Sequence, residues 1–198
     1  MRANLRWWYA QATDVEINVG LRWYEEAQEF SKELAERFNT SGEICAGVIS
    51  ALSPNNKWGR NKIDAEIVLS AVREGVEESK VKVCTYNNNK RKAFAIAGGS
   101  IRILKQSPKT YAFARNVGEM DEAYVTIDKW HLRACQSRSK TSKEVKTTVT
   151  PKQYGLLQKD CLKVADEFGL RGYEFQAIVW NVIRNRWLNL SDTSDKKK

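Results

Sequence analysis

Histidine is almost missing from this chain: its 198 residues include one, His131. That excludes a metal site built from several imidazoles. The four cysteines, Cys45, Cys84, Cys135 and Cys161, lie far apart, and no two form a Cys-x-x-Cys pair. A zinc ribbon and the clustered quartet that holds an iron–sulfur cluster are thereby excluded. No apolar run approaches the roughly 18 residues of a membrane helix. The opening MRANLRWWYAQATDVE has neither the apolar core nor the small-residue cleavage site of a signal peptide. These absences lead to the expectation of a cytoplasmic protein with Cys45, Cys135 and Cys161 as buried, reduced thiols. Acidic charge is the last shortage. Asp and Glu number 24 against 33 Lys and Arg, a formal net charge of +9. The excess points to a polyanionic partner.

What is present reads as helix almost throughout. Trp23, Ala27, Phe30, Leu34 and Phe38 recur at spacings of three and four, an amphipathic stripe predicting a helix over 21–38. SGEICAGVISALS starts at a Ser41 cap and stops at Pro54. After the polar turn PNNKWGRN, Ile63, Ile67, Val68, Ala71 and Val72 share one side of a further helix. The segment TYNNNKRKAFAIAGG reads as a basic loop entering a short apolar helix. Thr150-Pro-Lys-Gln153 is a capping box with proline at the first helical position, and a last helix surrounds YEFQAIVWNVIRNRW. Trp23 and Trp180 fit such patterns as core residues. AYVTI alone looks extended. Residues 137–149 form a polar basic connection, and 191–198, SDTSDKKK, read as a disordered basic tail behind a single domain spanning 1–190. The fold class is all-α.

Two helix starts carry chemistry. In QSPKT, Ser107 is an N-cap candidate, Pro108 fits the first helical position, and Lys109 and Thr110 follow in the first turn. The positive end of a helix attracts a phosphate and disfavours a protonated amine, so lysine is unusual there. A nucleophilic lysine needs its unprotonated form; a lysine that merely touches phosphate fits the motif as well. In VTIDKWHLRAC, Asp128 precedes Leu132 and Cys135 at helical spacing and is a good N-cap. An ionised carboxylate there stabilises an adjacent cationic sugar, and plain capping accounts for it equally. Asp128 follows Lys109 by 19 residues.

The order helix, basic turn, helix opening with Ser-Pro-Lys-Thr, short extended piece, then aspartate resembles the helix-hairpin-helix (HhH-GPD) DNA glycosylase superfamily. That group contains endonuclease III and 8-oxoguanine glycosylase. Its lysine falls on Lys109 and its aspartate on Asp128. VISALSPNNKWGRNKIDA is similar to the family's early helix and DNA-entering turn, and NNKRKAFAIAGG to the segment before the hairpin. The agreement spans roughly residues 43–137. Three features depart from the family. LKQSPK lacks the hairpin glycines, implying a different hairpin that uses Lys105 and Ser107. The family's DNA-inserting glutamine falls near Leu52, which passes gap filling to Asn55, Asn56 or Trp58. The iron–sulfur cysteines are absent, as in several branches.

The resemblance implies a two-lobed helical body with a cleft between the lobes and a helix-hairpin-helix near residues 90–117. It implies a monomer acting on double-stranded DNA with no cofactor, no metal cluster and no membrane. The activity would be that of a DNA glycosylase/lyase in base excision repair. A nucleotide is flipped out of the stack, and Asp128 stabilises charge at the sugar as the base leaves. Lys109 attacks the anomeric carbon to give a Schiff base, and β-elimination nicks the strand. His131, one turn beyond Asp128, orients it, contacts phosphate or is structural. Lys57, Arg60, Lys62, Lys90, Arg91 and Lys92, with Lys105, Ser107 and Thr110, would bind the DNA backbone. Trp7, Trp8, Trp58, Trp130 and Tyr111 are candidates for the base pocket. Two further readings stay open: a bacteriophage-type enzyme that hypermodifies thymine-derived bases with the same lysine and aspartate, and a non-catalytic helical DNA-binding protein.

Overall fold

The computed structural model describes residues 1–119, 121–138 and 146–194, with side chains described for 1–118, 121–138 and 146–186. Among the described residues there are nine α-helices and no strand: α1 Arg2–Tyr9, α2 Asp14–Phe38, α3 Gly42–Leu52, α4 Trp58–Arg73, α5 Asn87–Ala97, α6 Pro108–Glu119, α7 Lys129–Gln136, α8 Pro151–Glu167 and α9 Gly172–Ser194. Two 3-10 turns, Glu78–Lys80 and Ile101–Gln106, flank α5. The all-α expectation holds.

The chain divides into two compact units, one of Met1–Glu25 with Glu122–Lys198, the other of Glu26–Asp121. The boundary falls inside α2, which supplies residues to both. In the first unit α1, α7, α8 and α9 pack together around Leu5, Trp8, Leu132, Cys161, Phe175, Ile178 and Val182, all at most 3% exposed. Gly20 lets α2 lie directly on α9. A Cβ there would collide with Ile178 Cγ1 and meet the Ile178 backbone at 2.8 Å. Glu16 is buried and carries a double ion pair with Arg186 and a hydrogen bond from Asn185 at 3.1 Å. Burial alone would raise its pKa, but the bonds from Arg186, Thr13 and Asn185 outweigh that and bring it down to about 2.

In the second unit α3 is central, packing on α4, α5 and α6. Two glycines allow the approach: a Cβ at Gly118 would sit 2.9 Å from the Ala46 Cβ, and one at Gly47 2.8 Å from Ile96 Cγ2. The Ser50 hydroxyl donates to the Thr110 carbonyl at 2.6 Å, pinning the start of α6 against α3.

Several local expectations change. α2 begins at Asp14 rather than near 21, because Thr13 and Glu16 form a capping box: the Thr13 N–H donates to Glu16 Oε2 at 3.0 Å and the Glu16 N–H to Thr13 Oγ1 at 3.2 Å. Its first turns hid from the periodicity because Val15 and Val19 face solvent. The basic loop at 87–92 is instead the first half of α5. AYVTI forms no strand. The Tyr154 hydroxyl accepts from the Ile127 N–H at 2.9 Å and donates to the Val125 carbonyl at 2.8 Å, so a side chain takes the place of a partner strand. Residues 191–194 of the expected tail continue α9, since each residue added to an existing helix closes another backbone bond. Residues 195–198, and 139–145 of the polar connection, lie outside the described residues.

Candidate functional site

The first helix start forms as its sequence predicts. Pro108 is the first residue of α6. Ser107 stands before it, its Oγ accepting from the Thr110 N–H at 3.4 Å and its carbonyl from the Tyr111 N–H at 2.9 Å. Lys109 therefore sits in the first turn. It lines a pocket of about 200 Å³ within the second unit, together with Ala51, Pro54, Asn89, Lys92, Ile96, Ile103, Leu104, Ser107 and Thr110. The buried lining residues, Ala51, Ile96 and Leu104, are apolar, and the lining includes two lysines and no carboxylate. Neither lysine makes a hydrogen bond or ion pair among the described residues.

No glycine stands in the LKQSPK segment. α5 ends instead at Gly98 and Gly99, the latter at φ +97°, with the Ser100 N–H returning to the Ala95 carbonyl at 2.9 Å. The 3-10 turn Ile101–Gln106 then carries the chain to α6 and leaves Lys105 exposed.

Helical geometry separates the three basic residues of α5. Lys90 turns inward, its ammonium donating to the Glu78 carbonyl at 3.0 Å and the Val81 carbonyl at 3.1 Å, where it closes the loop ahead of α5. Arg91 is exposed and Lys92 lines the pocket. The turn before α4 is likewise sorted by a residue that the sequence did not single out. Asp64 is fully buried; Oδ1 accepts from Arg60 Nε at 2.8 Å, and Oδ2 from Asn56 Nδ2 and the Cys84 N–H, each at 2.9 Å. Asn56 and Arg60 are thus committed to Asp64. Trp58 packs edge-on to Phe30 at 6.2 Å, with the Lys62 ammonium over both rings. Leu52 is fully buried. Of the candidate inserting residues Asn55 alone is exposed, at φ +59°, its amide 3.4 Å from the hydroxyl of Tyr86. Tyr86 is itself 66% exposed and is a second residue the sequence reading passed over. Lys57 is exposed.

In the other unit Asp128 caps α7. Its Oδ1 accepts from the Trp130 N–H at 2.9 Å and the His131 N–H at 3.0 Å. Its Oδ2 accepts from the indole Nε1 of Trp180 at 2.8 Å. Trp180, expected as plain core, is half-buried, with the Arg184 guanidinium 4.7 Å from its ring centre. No local sequence signal could join residues 128 and 180. His131 meets Asp128 through its main chain. Its imidazole is fully buried and neither ring nitrogen has a hydrogen-bond partner among the described residues. Burial pushes its pKa down to about 4, against the opposing pull of Asp128. Phosphate contact by that ring is closed off.

Of the remaining tryptophans near the N-terminus, Trp8 is fully buried and donates Nε1 to the Ser137 carbonyl at 2.8 Å, while Trp7 stacks edge-on against it. Tyr111 and Trp130 are half-buried. Three thiols are buried as expected and Cys84 is exposed; burial raises the Cys45 pKa to about 11 and that of Cys135 to about 12. Among the described residues no group of three or more His, Cys, Asp or Glu side chains is gathered for a metal ion, and no helix is long and apolar enough to cross a membrane.

Comparison with curated proteins and with solved structures finds no match. A family model does match, over residues 1–187, and the chain belongs to that family, the family of unknown function DUF7178.

Proposed function

We propose that this protein is a DNA base-processing enzyme of the helix-hairpin-helix glycosylase type, with Lys109 as nucleophile and Asp128 as the carboxylate that stabilises the sugar cation. The observation that carries the reading is the state of Lys109. It occupies the first turn of α6, lines that pocket together with Lys92, and is bound to no acid among the described residues. A surface lysine kept for solubility has no need of that position, whereas an amine that must attack carbon has to stay uncommitted. Asp128 adds support as an N-cap with both oxygens engaged. Exposed Lys57, Arg91 and Lys105 would supply salt-dependent affinity for the phosphate backbone.

In this reading the glycosidic bond breaks with its electron pair leaving on the base, and Asp128 stabilises the cation left at C1′. The Lys109 amine forms a bond to C1′, loses a proton, and the sugar ring opens to the Schiff base. Loss of a C2′ proton then expels the 3′ phosphate. The test is the intact mass of short duplexes carrying an abasic site, uracil, hydroxymethyluracil or 8-oxoguanine after incubation with wild type and Lys109→Ala, with borohydride in parallel. A trapped covalent adduct that Lys109→Ala abolishes is the expected result. An intact strand of altered mass would move the reading to base modification. No change in any strand, with equal DNA binding by both proteins, would leave a binding protein.

A further inference from the structure

We infer that Trp180 is a positioning residue for Asp128, fixing the direction of its negative charge through an uncharged donor. The inference rests on the function proposed above and concerns a residue 52 positions further along the chain. Capping α7 occupies only Oδ1, which takes the Trp130 and His131 N–H groups. A helix cap requires nothing of the second oxygen. Oδ2 nevertheless receives the Trp180 indole N–H at 2.8 Å, from α9. With both oxygens bonded from different elements, rotation of the carboxylate about its own axis is blocked.

The choice of donor has chemical consequences. An indole N–H donates one hydrogen bond, has no proton to give up near neutral pH and carries no charge. An arginine or lysine at the same place would orient the carboxylate but would cancel much of the field it presents to a sugar cation. The nearby guanidinium of Arg184 instead lies against the indole ring, 4.7 Å from its centre. That cation–π contact holds the ring in place. An orienting contact that leaves the carboxylate's charge whole is what electrostatic stabilisation of a developing cation requires.

The experiment compares wild type with Trp180→Phe, which keeps a ring and removes the N–H, and with Trp180→His, which restores a ring N–H. Base removal is followed in single turnover on the uracil, hydroxymethyluracil and 8-oxoguanine duplexes. Borohydride trapping on a duplex with a preformed abasic site is followed in parallel. Trapping calls on Lys109 but not on cleavage of a glycosidic bond. The expected result is base removal slowed at least about tenfold in Trp180→Phe, with trapping and duplex affinity at wild-type levels and partial recovery in Trp180→His. Equal loss of base removal and trapping would reduce Trp180 to a packing role and overturn the inference. So would unchanged base removal in Trp180→Phe, with the proposed function left standing. A wild type that releases no base from any duplex and traps none overturns both.

Discussion

The solitary histidine offers a clean measurement of what burial costs this fold. His131 is fully buried and its ring nitrogens have no partner among the described residues, so burial disfavours the charged form of the ring. Its pKa falls from 6.5 to about 4, burial outweighing the pull of Asp128. The folded state therefore holds the ring neutral across a range in which the unfolded chain takes up a proton. Stability is unaffected above the unfolded pKa, declines as pH falls below 6.5, and stops declining once pH passes the folded value. At ~1.4 kcal/mol per pH unit the limiting loss is about 3 kcal/mol, of which about 2 kcal/mol has accumulated by pH 4.5. With a urea slope on the order of 2 kcal/mol per molar, that is a midpoint drop of roughly 1 M. His131→Leu removes the titration at similar volume, and its midpoint should fall less over the same range by that amount. Urea unfolding at pH 7.0, 5.5 and 4.5 gives the comparison, and the single imidazole resonance gives the pKa directly. A ring that titrates near 6.5 in the folded protein, or a Leu variant with the wild-type pH slope, would refute the reasoning. The Glu16 carboxylate adds a separate acid-side loss in both proteins, since its depressed pKa makes its contribution disappear between 4.5 and about 2.

Two further outcomes follow from packing and from buried charge. Gly20→Ala should lower stability by about 2 kcal/mol although alanine favours helix by ~1 kcal/mol, because the new Cβ meets the Ile178 backbone, which cannot rotate away; an unchanged or higher thermal midpoint would contradict the close approach of α2 and α9. Asp64→Ala should cost about 3 kcal/mol by stranding Asn56 and the Cys84 N–H, and Arg60→Met, which leaves the fully buried carboxylate without its cation, should likewise cost roughly 3 kcal/mol. A loss under about 1 kcal/mol for either variant in urea titrations would contradict the burial of the Asp64 carboxylate.

The helical class was written in local chemistry, and so were both helix starts. Ser107 and Pro108, Thr150 with Gln153, and Asp128 act on backbone groups within three or four residues, and short-range geometry of that kind survives in any context. The Thr13/Glu16 box was equally local and was missed only because the apolar stripe beyond it starts later.

Where the side chains are spent is a different matter. Lys90, Arg91 and Lys92 are consecutive and chemically alike, yet one closes a loop, one faces solvent and one lines a pocket. Helical rotation gives them different directions, and the neighbouring elements decide what each direction meets. Asp64 reads as one charge among many until the fold buries it beneath Asn56, Arg60 and Cys84. Trp180 looks like any apolar residue on a helix until α9 brings its N–H to Asp128. The amino-acid sequence by itself determined which segments are helical, where they start and that the surface is cationic, because caps, periodicity and net charge are properties of near neighbours or of composition. The tertiary structure alone decided which cations stay uncommitted and which donor holds the carboxylate, because those pairings depend on residues far apart in the chain being packed at hydrogen-bond distance.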